Sequence, residues 1–263
     1  MADPTRTNLA TGTSAVATTT ATFGFTATAN RLLVLVVAAD DYKTGNPSGY
    51  TAPANTSIGG TGNIGGTSAF LGHYLWYKVA AGGETSVQYT IGSASNSCWA
   101  VLEFDSIDSA SAFDVAPTAT YTQAGATTYT SPTATPSTGR RFVVATIAGT
   151  SSVGNGLLTG VGTWTNSYTE QADIRTTPAS GTGDEFGVAT LAMDGTGAAT
   201  TSTGATYEGS TAQSEASIVA VFKVASSGSN FTATQDDSTG LTDGIGAATV
   251  TPWVYSYSAR QGG

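Results

Sequence analysis

The sequence predicts an all-β fold: an antiparallel β-sandwich of jelly-roll type with extended N- and C-terminal arms. Three observations carry that expectation. The run Arg31-Leu32-Leu33-Val34-Leu35-Val36-Val37-Ala38-Ala39 is apolar at both odd and even positions, so a strand there must be covered on both faces. Thr, Ala, Ser and Gly dominate the remainder, a composition that suits strands joined by tight turns and supports no long helix. A set of strand-like segments then recurs at an offset of roughly 110 to 118 residues, far longer than a solenoid or propeller period.

Taken in order, residues 1–22 read as a Thr/Ala/Ser-rich arm with little periodicity. Phe23 and Phe25 alternate with small residues, as a first strand ahead of the buried run would. Asp40 to Ala69 reads as a long irregular stretch punctuated by Pro and Gly. Phe70 to Val79 is an aromatic strand, Ala80 to Thr85 a turn, and Ser86 to Ile91 a returning strand. In the next strand Cys98, Ala100, Leu102 and Phe104 share one face, while Trp99, Val101 and Glu103 take the other.

The second half repeats the order. Arg141 to Ala148 echoes the opening run, and Gly162 to Thr165 stands where Gly49 to Thr51 stood. Phe186 to Met193 answers Phe70 to Tyr77, and Ile218 to Val224 answers the Cys98 strand. Neither half shows an obvious second sheet. The two sets, about residues 31–107 and 141–224, are therefore expected to build one sandwich over residues 23–225. Residues 226–263 form a Ser/Gly linker and a tail ending in Trp253, Tyr255 and Tyr257. An exposed aromatic end is a liability, so these three are candidate partner-docking residues.

Charge narrows the function classes. Among 263 residues, 18 acids oppose 9 Lys and Arg, and charged residues reach only 10%. That is well below the roughly 25% of an average soluble protein. Lys43, Lys78 and Lys223 are the only lysines, so no basic stripe tracks a phosphate backbone and nucleic-acid binding is disfavoured. The longest apolar run is far short of the roughly 20 residues that a membrane helix needs, which argues against membrane insertion. Cys98 is alone, so it makes no intrachain disulfide and no Cys-based zinc site. The N-terminal residues lack a basic region followed by an apolar core, hence no ordinary signal peptide is expected. A chain made in the cytoplasm with the surface of a secreted one can leave by assembly into a particle.

Chemical motifs are few. Gly60-Thr61-Gly62-Asn63-Ile64-Gly65 matches G-x-G-x-x-G but is followed by no helix, so it reads as a glycine-rich loop. Glu103-Phe104-Asp105-Ser106-Ile107-Asp108 resembles the E-x-D-x-x-E strand of laminarinase-type glycoside hydrolases, where alternating carboxylates supply nucleophile and acid. Asp108 stands where that family places its acid/base Glu. The bland reading sets Glu103 facing solvent beside Trp99, with Asp105 and Asp108 capping a turn. His73 is the only histidine and lies in an aromatic strand, as a hydrogen-bonded structural residue would. Trp76, Trp99 and Trp164 are candidate glycan-contact residues, with core packing as the alternative. The acidic pairs Asp40-Asp41, Asp184-Glu185 and Asp236-Asp237 lack EF-hand spacing; loop-bound Ca2+ is the one cofactor weighed, and none is assigned. No catalytic residue and no metal ligand is assigned, and the expectation is a protein that is not an enzyme.

Four segments carry a family resemblance: Arg31–Ala39, Pro47–Thr51, Leu75–Val87 and Trp99–Ile107. In that order they resemble a domain of tailed-bacteriophage virion proteins, the minor tail proteins of actinobacterial phages above all. Residues 141–224 fit the pattern more loosely, and Asp236-Asp237-Ser238-Thr239-Gly240-Leu241-Thr242-Asp243 resembles D-x-x-G-L-T-D segments of such proteins. The resemblance implies a structural component of the virion, made in the host cytoplasm. A minor tail protein with host-surface contact is the first expectation. A capsid decoration protein of the same fold is the alternative, and a carbohydrate-binding or glycoside-hydrolase-like jelly roll the second. Its partners would be other virion proteins, copies of itself through the terminal arms, and a host-surface glycan.

Overall fold

The computed structural model describes residues 3–40, 45–51, 57–64, 67–92, 96–115, 119–122, 128–152, 158–161, 163–176, 182–195, 204–209 and 214–226. The chain divides into two units, Met1–Ser226 and Ser227–Gly263. The second unit, with Trp253, Tyr255, Tyr257 and the Asp236–Asp243 segment, lies outside the described residues.

In the first half the strands are β1 (Arg6–Ser14), β2 (Thr18–Thr22), β3 (Leu32–Ala39), β4 (Ser57–Ile64), β5 (Thr67–Val79), β6 (Ser86–Thr90) and β7 (Ser97–Phe104). Their pairing is nested: β1 with β7, β2 with β6, β3 with β5, all antiparallel. β3 also pairs with β7, and β4 with β5. One sheet therefore runs β1-β7-β3-β5-β4, and β2-β6 forms a separate small one.

The second half holds β8 (Phe113–Val115), β9 (Thr120–Thr122), β10 (Thr128–Thr130), β11 (Gly139–Ser152), β12 (Leu158–Val161), β13 (Thr169–Arg175), β14 (Thr182–Gly195), β15 (Gly204–Gly209) and β16 (Ser214–Lys223). The nesting recurs: β8 and β9 pair with β16, β10 with β15, β11 with β14. The large sheet runs β13-β14-β11-β16-β8 and the small one β10-β15-β12. Among the described residues every element is a strand and all named pairings are antiparallel, so the protein is all-β.

The two large sheets face each other, and this explains the unbroken apolarity of β3. Leu32, Val34, Val36 and Ala38 enter the shared core with Leu75, Leu102 and Phe104, against Phe142, Val144, Phe186, Ile218 and Phe222. Leu33, Leu35, Val37 and Ala39 turn the other way and are covered by Ala21, Val87 and Tyr89 of the small β2-β6 sheet. All eight side chains of β3 are fully buried. Each large aliphatic side chain removed from water contributes about 1.5–3 kcal/mol, so this strand is a principal source of stability. β11 divides its faces likewise, with Val143 and Ala145 in an outer cluster beside Ala134, Tyr168 and Trp164.

The sheets meet as an approximate twofold axis requires. β1 packs beside β13, and the Arg6 guanidinium donates to the Gln171 carbonyl there. β4 packs beside β9; by order and pairing, β9 is the counterpart of β1 and β13 that of β4. Contacts of β7 with β14 and of β16 with β5 exchange in the same way. The arrangement is that of an isologous dimer contained in one chain.

Several expectations change. Residues 6–14, read as part of the N-terminal arm, are strand β1, because eight of them pair with β7 and gain backbone partners that periodicity did not reveal. Phe23 and Phe25 are not a strand; β2 ends at Thr22, and the two rings stack at 5.1 Å in the following loop. The glycine-rich stretch contains β4, so Gly60-Thr61-Gly62-Asn63-Ile64 pairs with β5 rather than looping; Gly65 lies outside the described residues. Each half does have a second sheet, but its strands are short and Thr-rich, with little apolar signal.

Candidate functional site

The carboxylate strand is the first place to look, and the structure assigns Glu103 a mechanical task. Its side chain is fully buried on the outer face of β7. Oε2 accepts from Thr7 Oγ1 at 2.7 Å and Asn8 Nδ2 at 2.6 Å, and Oε1 from the Thr28 N–H at 2.6 Å. Arg31 Nη1 lies 3.3 Å from Oε2. Burial pushes the Glu103 carboxyl up, but the hydrogen bonds from Thr28, Thr7 and Asn8 and the Arg31 charge outweigh it and hold the group below its ordinary range. The expectation that Glu103 faces solvent is therefore wrong: it ties β1 and the chain before β3 to β7.

Asp105 accepts from Thr5 N at 2.9 Å, and Asp108 Oδ1 accepts from Ala110 N at 3.1 Å and Ser111 N at 3.2 Å. The three carboxylates thus serve three separate junctions. Strand alternation places Glu103 on one face of the sheet, and the chain has left the strand before Asp108.

The tryptophans do not form a shared platform. Trp76 is 1% exposed, donates from Nε1 to Asn46 Oδ1 at 3.0 Å and stacks on Tyr74 at 5.4 Å. Trp99 is 7% exposed and lies under β1, where Gly12 leaves room for its ring. Both belong to the outer cluster of the first half. Trp164 is half-buried in the second-half outer cluster, stacked with Tyr168 at 6.4 Å and donating to Glu170 Oε2 at 3.2 Å. As glycan-contact residues Trp76 and Trp99 are corrected: the small sheet and β1 bury the ring faces that a sugar would need.

His73 lies between the large sheets. Its Nδ1–H donates to the Val37 carbonyl at 3.1 Å, and Nε2 is 3.2 Å from Thr146 Oγ1, which is itself 2.8 Å from the Gly187 carbonyl. Val37 O can only accept, which assigns the proton of the neutral ring to Nδ1; the Thr146 hydroxyl gives its one proton to the Gly187 carbonyl, so Nε2 and Thr146 Oγ1 meet as a polar contact. Burial pulls the pKa down to about 4, against smaller upward effects of the Val37 and Thr146 contacts, so the ring is neutral at physiological pH.

One end of the sandwich gathers buried acids that sequence reasoning did not single out as a group. Asp184 faces the inner core, and burial together with neighbouring Asp40 holds its carboxyl well above the usual range. The Cys98 thiol, 3.6 Å from the Asp184 carbonyl, is pushed up by burial and by the charges of Asp184 and Glu185. On the outer face Glu185 and Glu215 flank Gly149, to which both pair. Glu215 is fully buried with no hydrogen-bond partner at either carboxylate oxygen, and burial pushes it up to about 8. Alternation in Ser214–Lys223 could have found it, since Glu215 has the parity of Val219 and Val221. Among the described residues no group of three or more His, Cys, Asp and Glu is placed to hold a metal ion, and no helix is long and apolar enough to cross a membrane.

A polar groove of about 470 Å³ lies between β6 and residues 45–50. Lys78 Nζ and Glu84 Oε1 close part of it as an ion pair at 2.7 Å, with the Lys78 ammonium 5.6 Å from the Tyr50 ring centroid. Glu84 also accepts from the Ala81 and Gly82 N–H groups. Burial pushes it up, but these bonds and Lys78 outweigh that and lower its pKa to about 2. The arrangement offers hydrogen-bonding edges and no reactive pair.

Fold and site together define an all-β, sandwich-like scaffold in which Glu103 ties strands together and Glu215 lies buried without a hydrogen-bond partner. No family model, no curated protein and no solved structure matches this chain.

Proposed function

We propose that this protein is a structural component of a bacteriophage virion, a minor tail protein, built on two jelly rolls. The observation that carries the reading is the twice-nested strand order. First pairs with last, second with penultimate and third with fifth, as in a long hairpin rolled up on itself, and the same order returns in the second half. Double-sheet rolls of this kind recur in viral coat proteins. Three of the segments that resemble tail proteins coincide with strands: Arg31–Ala39 contains β3, Leu75–Val87 runs from β5 into β6, and Trp99–Ile107 covers most of β7 and the turn after it. A chain with only 10% charged residues supports burial against other subunits, because few charges need desolvation.

The test is location. Gradient-purified particles are examined by peptide mass spectrometry and by immunogold labelling with antibody to the folded chain. The tail reading expects the protein in particles and gold on tails. Gold on heads would make it a decoration protein, and presence only in the lysate would end the virion reading.

A further inference from the structure

β6 pairs with β2 along one edge, and among the described residues no strand pairs with its other edge. Phe23 N–H donates to Thr85 O and Ile91 N–H to Ala17 O, both toward β2. Backbone groups alternate along an antiparallel strand, so Ser86 and Gln88 turn their N–H and C=O outward. The polar groove lies at this strand, lined by every residue from Ser86 to Thr90 and by Gly45, Asn46, Pro47, Ser48 and Tyr50. Val87 and Tyr89 are buried toward the large sheet while Ser86 and Gln88 are exposed, so the groove meets main chain. Ser-Val-Gln-Tyr-Thr contains no Pro, Lys or Gly, and its register with β2 has no bulge, so neither charge nor backbone irregularity guards this short edge.

We propose that this groove receives an extended, uncharged polypeptide segment of a neighbouring virion subunit, which adds to β6 as a further strand. Outward amides at strand spacing select a polypeptide backbone over other ligands, and an added strand sits about 4.8 Å from its neighbour. The Lys78–Glu84 pair cancels the charges lining the groove, so it complements an uncharged segment. The inference rests on the virion reading above and gives it an assembly contact.

Full-length wild type, Gln88→Pro and Gln88→Thr are supplied to assembling particles, and incorporation is measured after gradient purification. Proline removes the outward N–H and is tolerated on a strand edge where that N–H is unbonded. Gln88→Pro is expected to keep its thermal midpoint within a few degrees by circular dichroism while its incorporation falls about tenfold. Gln88→Thr, which keeps the N–H, is expected to incorporate like wild type. Ser86→Pro, at the first strand position, is the second edge variant and should behave as Gln88→Pro does. Normal incorporation of the folded proline variants overturns the proposal, as does equal loss with Gln88→Thr. Unfolding of both proline variants also overturns it, because the edge would then be bonded within the chain. Absence of the wild type itself from particles defeats the virion reading, and the strand addition falls with it.

Discussion

His73 Nε2 and Thr146 Oγ1 meet 3.2 Å apart, a polar contact between the two large sheets within a largely apolar core. The second-half counterpart of His73 is Phe186, and the two rings pack at 6.2 Å. The duplicated frame thus holds one polar and one apolar side chain at matching positions, and the polar one brings pH dependence.

Because the folded state holds His73 at about 4 and an unfolded histidine titrates near 6.5, the unfolded chain binds more protons between those values. Stability from this site is complete above about pH 6.5 and is lost as pH falls toward 4, amounting to about 3 kcal/mol. Urea unfolding at pH 7.5, 5.5 and 4.5 checks it: His73→Gln should flatten the difference between wild-type midpoints over this window.

Glu215 acts in the opposite sense. Its folded pKa is about 8 against an unfolded value near 4.5, so the folded chain holds the extra proton and stability falls as pH rises through that interval. Glu215→Gln should be close to neutral at pH 5 and stabilising by about 2–4 kcal/mol at pH 9. Denaturant titrations at the two pH values decide it, and equal effects at both would contradict the assignment.

Removing the Glu103 carboxylate leaves Thr7, Asn8 and the Thr28 N–H without their acceptor and Arg31 without its counter-ion. Glu103→Ala should destabilise by about 3 kcal/mol and open residues 5–14 to limited proteolysis ahead of global unfolding. Its folded pKa is depressed, so this contribution is present above pH 4.5 and is lost as pH falls below that value. Proteolysis mapped by mass spectrometry at pH 7 provides the readout.

A Cβ on Gly12 would sit 2.5 Å from Trp99 Cζ2 and 2.7 Å from Cε2. The indole is 7% exposed and has little room to retreat. Gly12→Ala should therefore cost about 1–3 kcal/mol and shift Trp99 emission, measured against a Trp99→Phe background that removes the clash.

Much of the frame can be read from residues alone. β3, β5, β6, β7, β11, β14 and β16 announce themselves through apolar runs or alternation, and the recurrence of Arg31–Ala39 at Arg141–Ala148 follows from order alone. The other nine strands are left unread: β1, β2, β4, β9, β10, β12 and β15 are Thr- or Gly-rich, β8 is three residues long and β13 mostly polar, and they become strands because a neighbour satisfies their backbone. That is a tertiary effect with little local signal.

At the candidate sites, sequence supplied residue types and alternating faces but could not say what lies across each face. Glu103 was placed correctly beside Trp99 and Val101, yet only the arrival of β1 makes it a buried junction instead of an exposed acid. Trp76, Trp99 and Trp164 are aromatic in any arrangement; the small sheet and the loops decide that they pack in separate places. The sequence by itself determined an all-β chain with two matching strand sets. Tertiary structure decided that the sets face each other as an approximate dimer, because each large sheet has two apolar faces and its own small sheet covers only one.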